Sequence, residues 1–232
     1  MTWKRIGQAL GTVAGCAGFV IAGSLISSPG LQAGDDEHAN SDAARIEVGL
    51  QIAPVHLTYD KRDRKLVGLG SYIVNAVSDC NGCHSAGPAT EYAGNPYFGQ
   101  PKQYNTATYL AGGRDFGTIS APPSPHIVSR NLTPDKSGLP EGGATFAEFF
   151  ETIRHGIDHD HVHPNCSATV TTNCFPHGPG LPPFNGDLLQ IMPWPEYQDW
   201  TDHDLRAVYE YLKAIPCTQT PSEKLAGVHA CF

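Results

Sequence analysis

The sequence predicts a helical, loop-rich domain, and three observations lead there. Apolar residues recur at helical spacing in three places: Leu66, Leu69, Ile73 and Val74; Phe146, Phe149, Phe150 and Ile153; and Leu205, Val208, Tyr209 and Leu212. Between them run long stretches without periodicity, and 19 prolines and 25 glycines in 232 residues call for much loop. A single short segment alternates as a strand does: Ile46, Val48, Leu50 and Ile52 interleave with Glu47, Gly49 and Gln51. It reads as an extended arm across the domain surface.

The first helical pattern, from Arg64, runs into Cys80-Asn81-Gly82-Cys83-His84. A C-x-x-C-H run reads as a covalent c-type haem site. On a helix, positions i, i+3 and i+4 share one face, so two thiols and one imidazole can meet a single flat macrocycle. Cys80 and Cys83 would add to the haem vinyl groups as thioethers, and His84 would ligate the iron. A disulfide oxidoreductase would need a βαβ context that is missing around these residues, and zinc would need a second close pair of ligands. The partner axial ligand is expected from Met192, the one methionine besides Met1, in Gln190-Ile191-Met192-Pro193-Trp194-Pro195. A methionine is ordinarily core filler, but this one lies in a Pro-rich loop beside an aromatic. A histidine is its main competitor, and His/Met ligation gives the higher reduction potential.

Residues 1–33 read as an export segment. Lys4 and Arg5 precede an uncharged run from Ile6 to Ile26, long enough to span a bilayer. Pro29 and Ala33 resemble a cleavage region, so a removed signal peptide and a retained anchor both fit, and both put the remainder outside the cytoplasm. A lipoprotein cut at Val13-Ala14-Gly15-Cys16 would strand the apolar Gly18–Ile26 run on the mature chain. Cysteine usage agrees with export. With Cys16, Cys80 and Cys83 set aside, Cys166, Cys174, Cys217 and Cys231 remain, enough for two bridges in an oxidising compartment. Of the three possible pairings, the local one, Cys166–Cys174 with Cys217–Cys231, closes the shortest loops.

The formal net charge is −8, and the export segment is itself basic, so the remainder is more acidic still. That sign excludes nucleic acid as a natural partner. It suits either a docking partner with a basic patch or simple solubility. Residues 34–44 are polar. After His84, residues 85–130 are Gly-, Pro- and Asn-rich, and Pro88 stands where a loop carbonyl could receive the imidazole N–H. Asn131-Leu132-Thr133-Pro134-Asp135 is a turn signal. Thr145 with Glu148, and Thr201 with Asp204, are helix-start boxes. Tyr211 is placed to meet Gly70 where two helices cross closely, and Pro216 stops the last helix. His155, His159, His161 and His163, interleaved with Asp158 and Asp160, have the spacing of a solvated loop rather than a helical metal site.

Taken together, Gly70-Ser71-Tyr72-Ile73-Val74-Asn75-Ala76 before C-x-x-C-H, the Asn-Leu-Thr-Pro-Asp turn, Met192-Pro193-Trp194 and Tyr211-Leu212-Lys213-Ala214-Ile215-Pro216 resemble a class I monohaem cytochrome c. The likeness is to the larger exported bacterial type that serves periplasmic dehydrogenases, and it covers residues 45–217. It implies an all-α cytochrome c fold with long irregular loop insertions, the first and last helices crossed at the haem edge. His84 and Met192 are 108 positions apart, more than in small members of the class. The expected division is 1–33 leader or anchor, 34–63 arm, 64–217 haem domain and 218–232 tail. The implied protein is a periplasmic single-electron carrier rather than an enzyme, with one covalent haem c. Its expected partners are a dehydrogenase donor and an oxidase or reductase acceptor, and membrane contact comes only through the N-terminal segment. A haem enzyme or gas sensor with an open distal position is the alternative.

Overall fold

The computed structural model describes residues 35–118, 126–159, 187–221 and 231. The export segment, the Cys166–Cys174 pairing, His161 and His163 therefore lie outside the described residues. Five helices carry the fold: α1 (Asp35–Ile52), α2 (Arg64–Tyr72), α3 (Cys80–Cys83), α4 (Phe146–His155) and α5 (Asp202–Ala214). None of the described helices is long and apolar enough to cross a membrane.

The expected extended arm is a helix, α1. Alternation misled because only half of the alternating set is covered. Val48 and Ile52 remain 41 % and 36 % exposed, while Ile46 and Leu50, one helical turn apart, lie against α2. Glycines permit that packing. A side chain on Gly49 would strike the Gly68 carbonyl, and one on Gly68 would come within 2.7 Å of the Ile46 carbonyl oxygen. Ser71 Oγ fixes the register by donating to the Gly49 carbonyl at 2.6 Å.

α2 crosses α5 at Gly70, where a side chain would run into the Ala207 carbonyl and lie 2.7 Å from Tyr211 Cβ. The crossing expected of Gly70 and Tyr211 is thus present. Leu205, Val208, Tyr209 and Leu212 of α5 are all buried. Thr201 caps α5, its Oγ1 accepting from the Asp204 N–H at 3.1 Å and donating to the Asp204 carboxylate at 2.8 Å. Ala214 ends it ahead of Pro216, and its carbonyl accepts from Thr58 N–H at 2.8 Å.

Beneath the crossing, four polar side chains form a buried network. Tyr109 Oη lies 2.7 Å from Tyr211 Oη and donates to Asn75 Oδ1 at 2.6 Å; Asn75 Nδ2 donates to Tyr211 Oη at 3.1 Å and to Ser71 Oγ at 3.1 Å. Each such bond nets about 1 kcal/mol, whereas an unpaired buried partner would cost about 1–3 kcal/mol. α2 continues as a widened π turn, Ile73–Val77, closed by Ser78 N–H on the Ile73 carbonyl at 2.9 Å. A helix end leaves carbonyls without helical partners. Here the Asn75 carbonyl accepts from Lys102 Nζ at 3.0 Å and Tyr104 Oη at 3.2 Å, tying the long loop to the approach of the haem motif.

The helical expectation also needs one amendment. Residues 115–128 contain a small antiparallel pair, β1 (Asp115–Thr118) with β2 (His126–Val128), and its register is irregular between Asp115 and Thr118. Nothing in a Gly/Pro-rich run of this kind announces strands of four and three residues. The tail is pinned as expected by a Cys217–Cys231 disulfide, and its Thr218 carbonyl accepts from Asn131 Nδ2 at 2.6 Å.

Candidate haem site

α2 and its π turn deliver the chain to Asp79, whose left-handed backbone (φ 48°) turns it into α3. Cys80 and Cys83 stand at the two ends of that single turn, with the His84 N–H on the Cys80 carbonyl at 3.0 Å. Asn81 anchors the turn from within, its Oδ1 accepting from Leu110 N–H at 2.9 Å. Arg114 anchors its far end, donating from Nη1 to the Gly82 carbonyl at 2.8 Å. The functional weight of Asn81, Arg114 and Arg130 was not legible in advance, because their partners are main-chain atoms far along the chain.

Cys80, Cys83, His84 and Met192 all border one cavity of about 480 Å³, a size within the range of cofactor pockets. Its apolar wall comes from the π turn after α2, from α4 and from α5: Val74, Phe149, Ile153, Val208 and Leu212. The Phe149–Ile153 face is therefore both core and cavity lining. Thr145 sets the start of α4 through a capping box with Glu148, its Oγ1 taking the Glu148 N–H at 3.3 Å and Glu148 Oε2 taking the Thr145 N–H at 2.7 Å. Met192 enters from a tight turn in which Ile191 is left-handed (φ 71°) and the Trp194 N–H returns to the Met192 carbonyl at 2.9 Å. Trp194 is locked by its own Nε1–H on the Leu189 carbonyl at 3.1 Å, and Gly156 leaves room for its ring. Tyr197 and Trp200, their rings tilted by 39° with centroids 4.7 Å apart, complete the wall beside Met192.

His84 Nδ1 lies 2.7 Å from the Arg130 carbonyl oxygen. A carbonyl only accepts, so the ring donates from Nδ1 and presents Nε2 as its lone-pair nitrogen. The acceptor is not in the loop at Pro88, where the sequence places a passing carbonyl. Pro88 begins a short helical turn, Pro88–Glu91, instead. The Arg130 position follows from chain geometry: Gly112 N–H binds the His84 carbonyl at 2.8 Å, and the Gly112–Gly113 turn brings residues 129–131 alongside. Burial lowers the His84 pKa, the Arg130 hydrogen bond opposes this and the Arg130 charge adds to it, favouring a neutral ring.

The two thiols are free. Burial, with Asp79 and Cys83 nearby, pushes Cys80 up to about 12. Burial also raises Cys83, against the opposing pull of Arg114. Redox-active C-x-x-C pairs have lowered thiol pKa values, so this environment is the reverse of a dithiol oxidoreductase's. Two neutral thiols, one imidazole nitrogen with its tautomer fixed and one thioether around an apolar cavity make a donor set that fits a covalently bound haem. Among the described residues, no three His, Cys, Asp or Glu side chains gather as a metal site. Of the histidine run, His159 faces Glu151 at 3.2 Å.

The likeness among known proteins is to cytochrome c-type proteins. In particular, the chain is 29 % identical over 150 residues to the cytochrome c subunit of a quinone alcohol dehydrogenase from Komagataeibacter europaeus, covering 64 % of this chain and 22 % of that one. It is 28 % identical over 157 residues to the gluconate 2-dehydrogenase cytochrome c subunit of Pantoea cypripedii, covering 67 % and 24 %. It is 25 % identical over 177 residues to the fructose dehydrogenase cytochrome subunit of Gluconobacter japonicus, covering 75 % and 26 %. The matched stretch is thus about a quarter of each relative's length. No family model matches the chain, and no solved structure matches it.

Proposed function

We propose that this chain is an exported monohaem cytochrome c of class I, an electron-transfer protein and not an enzyme. In this reading it passes single electrons from a dehydrogenase to an oxidase or reductase in the periplasm, freely diffusing or held by residues 6–26. Cys80 and Cys83 would hold one haem c as thioethers, with His84 Nε2 and Met192 Sδ as axial ligands. The bound group supplies an iron that changes oxidation state by one electron. The chain's own residues do the rest. α3 presents the thiols and imidazole together, the Arg130 carbonyl orients the ring, and the Trp194 anchor holds Met192 over the cavity. Phe149, Ile153, Val208 and Leu212 keep water away from the centre. The observation that carries the reading is the meeting of Met192 with Cys80, Cys83 and His84 on one cavity, from 108 positions away in the sequence. A dehydrogenase donor is supported by the three similar proteins described above, each a cytochrome subunit of a dehydrogenase.

The test is spectroscopic. Protein matured with the cell's haem-attachment machinery should keep its haem through acid-acetone extraction, show one haem per chain and leave ferrous iron unreactive to carbon monoxide. Extractable haem would overturn the covalent assignment. Rapid carbon monoxide binding by the resting ferrous protein would favour a haem enzyme or gas sensor.

A further inference from the structure

Glu141 is a carboxylate on the wall of the haem cavity for which the proposed ligation has no use. It stands in the turn Pro140–Gly143 with a left-handed backbone, φ 53° and ψ 46°, followed by Gly142 at φ 74°. A non-glycine residue takes up that conformation at a cost of about 1–2 kcal/mol. The turn puts Glu141 at the junction of two cavities. The second, of about 190 Å³, shares Arg130, Glu141, Gly142 and Leu189 with the haem cavity and is otherwise bordered by the polar Glu148, Thr152, Asp158 and His159 together with Gly143, Ala144 and Ile157.

The charged groups bordering that chamber are few. Arg130 reaches it from the end of β2, paired with the fully buried Asp158. Glu148 comes from the first turn of α4, and Asp158 and His159 come from the turn after α4, with Glu151 behind His159. α5 meets the same turn through the Tyr209 hydroxyl, which donates to the Ala144 carbonyl at 3.0 Å. Burial raises the Glu141 pKa; Arg130 opposes this, Asp158 reinforces it and His159 opposes it. A carboxylate beside an apolar cavity interacts with charge inside that cavity more strongly than one in water.

We propose that Glu141 couples a proton to the electron: its carboxylate, ionised opposite ferric iron, takes up a solvent proton through the polar chamber when the iron is reduced. The inference rests on the haem reading above. Its balance is simple: one electron arrives from the donor protein, one proton arrives at a Glu141 Oε atom, and the net charge of the site is unchanged. The sign follows. Ionised Glu141 disfavours the extra electron, so the reduction potential rises as pH falls through its titration range and levels off on either side.

The experiment is a potentiometric titration of the purified holoprotein by haem absorbance, between about pH 5 and pH 9, on wild type and Glu141→Gln. Wild type should gain potential with falling pH, approaching the tenfold-per-unit limit of about 59 mV for one proton per electron. Glu141→Gln should lose most of that slope and lie above wild type at the alkaline end. Any slope from the haem's own propionates is common to both proteins and cancels in the comparison. Reduced-minus-oxidised infrared spectra give a second readout, in which a protonated-carboxyl band should appear on reduction in wild type and vanish in Glu141→Gln. Glu141→Asp should retain a sloping region with a displaced midpoint. A Glu141→Gln titration that overlays wild type, or wild-type spectra without that carboxyl band, overturns the proposal. Should the glutamine variant fail to mature, Glu141→Asp decides: its midpoint and carboxyl band should both be displaced from wild type, and an overlay of the two proteins overturns the proposal. Failure of the haem reading looks different, because no covalent haem would be present to titrate.

Discussion

Gly70 and Ala207 meet backbone to backbone, with no room for a side chain between α2 and the Ala207 carbonyl. Adding one methyl forces apart the two helices that hold the haem motif and the last helix together. Gly70→Ala should therefore destabilise the holoprotein by about 3 kcal/mol. A fall of about 6–12 °C in its thermal midpoint is the corresponding readout for a chain of this size. A variant as stable as wild type would mean that the crossing is looser than the geometry requires.

Met192→Ala removes the thioether and leaves the two cysteines and His84 in place. The variant should retain covalent haem, lose the ferric charge-transfer band of methionine ligation, bind carbon monoxide when reduced and have a lower potential. An unchanged spectrum would remove Met192 from the ligand set.

The Cys217–Cys231 bridge closes a loop 14 residues long, and the segment it holds carries the Thr218 carbonyl to Asn131. A loop of that length corresponds to about 3 kcal/mol of chain entropy. The Cys217→Ser, Cys231→Ser double variant should lose that much stability in denaturant unfolding while keeping its haem spectrum. Altered iron ligation would show that the tail governs more than its own attachment.

The α4 capping box predicts a pH signature. Its backbone and hydroxyl hydrogen bonds from Thr145 hold the Glu148 pKa below its ordinary value of 4.5. A carboxylate with a lowered folded pKa contributes stability that is fully present above the unfolded value and lost as pH falls through the folded one. Glu148→Ala should thus be less stable than wild type at neutral pH. The difference should narrow in acid below the Glu148 pKa, as followed by urea unfolding. A gap that stays constant with pH would exclude the carboxylate as its source.

Sequence reading located the elements with local chemistry and missed those built by distant main chain. The C-x-x-C-H turn, the two threonine-led helix starts and the Leu205–Leu212 stripe are written in residues that act on their near neighbours. The alternating apolar residues of α1 suggest an extended arm, yet on a helix they divide between two faces: Ile46 and Leu50 lie against α2, and Val48 and Ile52 face outward. The Pro88 expectation failed for a different reason. The acceptor for His84 is a peptide oxygen, and any residue could supply one, so only the path of the loop decides which. The β1–β2 pair is too short for its pattern to rise above turn chemistry. Glu141 lay unseen in a Gly-rich turn, since only the folded chain opens one cavity beside another.

The main-chain origin of the His84 acceptor also decides where the site is genetically fragile. The oxygen that orients the ring belongs to the peptide of residue 130, so the side chain there acts on the ring only through its pairing with the buried Asp158. The exposure to error moves to Gly112, which has a φ of 68°, and where any side chain would press on the Arg130–Asn131 peptide, 2.6 Å from the Asn131 nitrogen. On the proposed ligation, a spontaneous substitution there would displace the Arg130 carbonyl and so tilt the imidazole without touching it, a lesion visible as altered iron electronics.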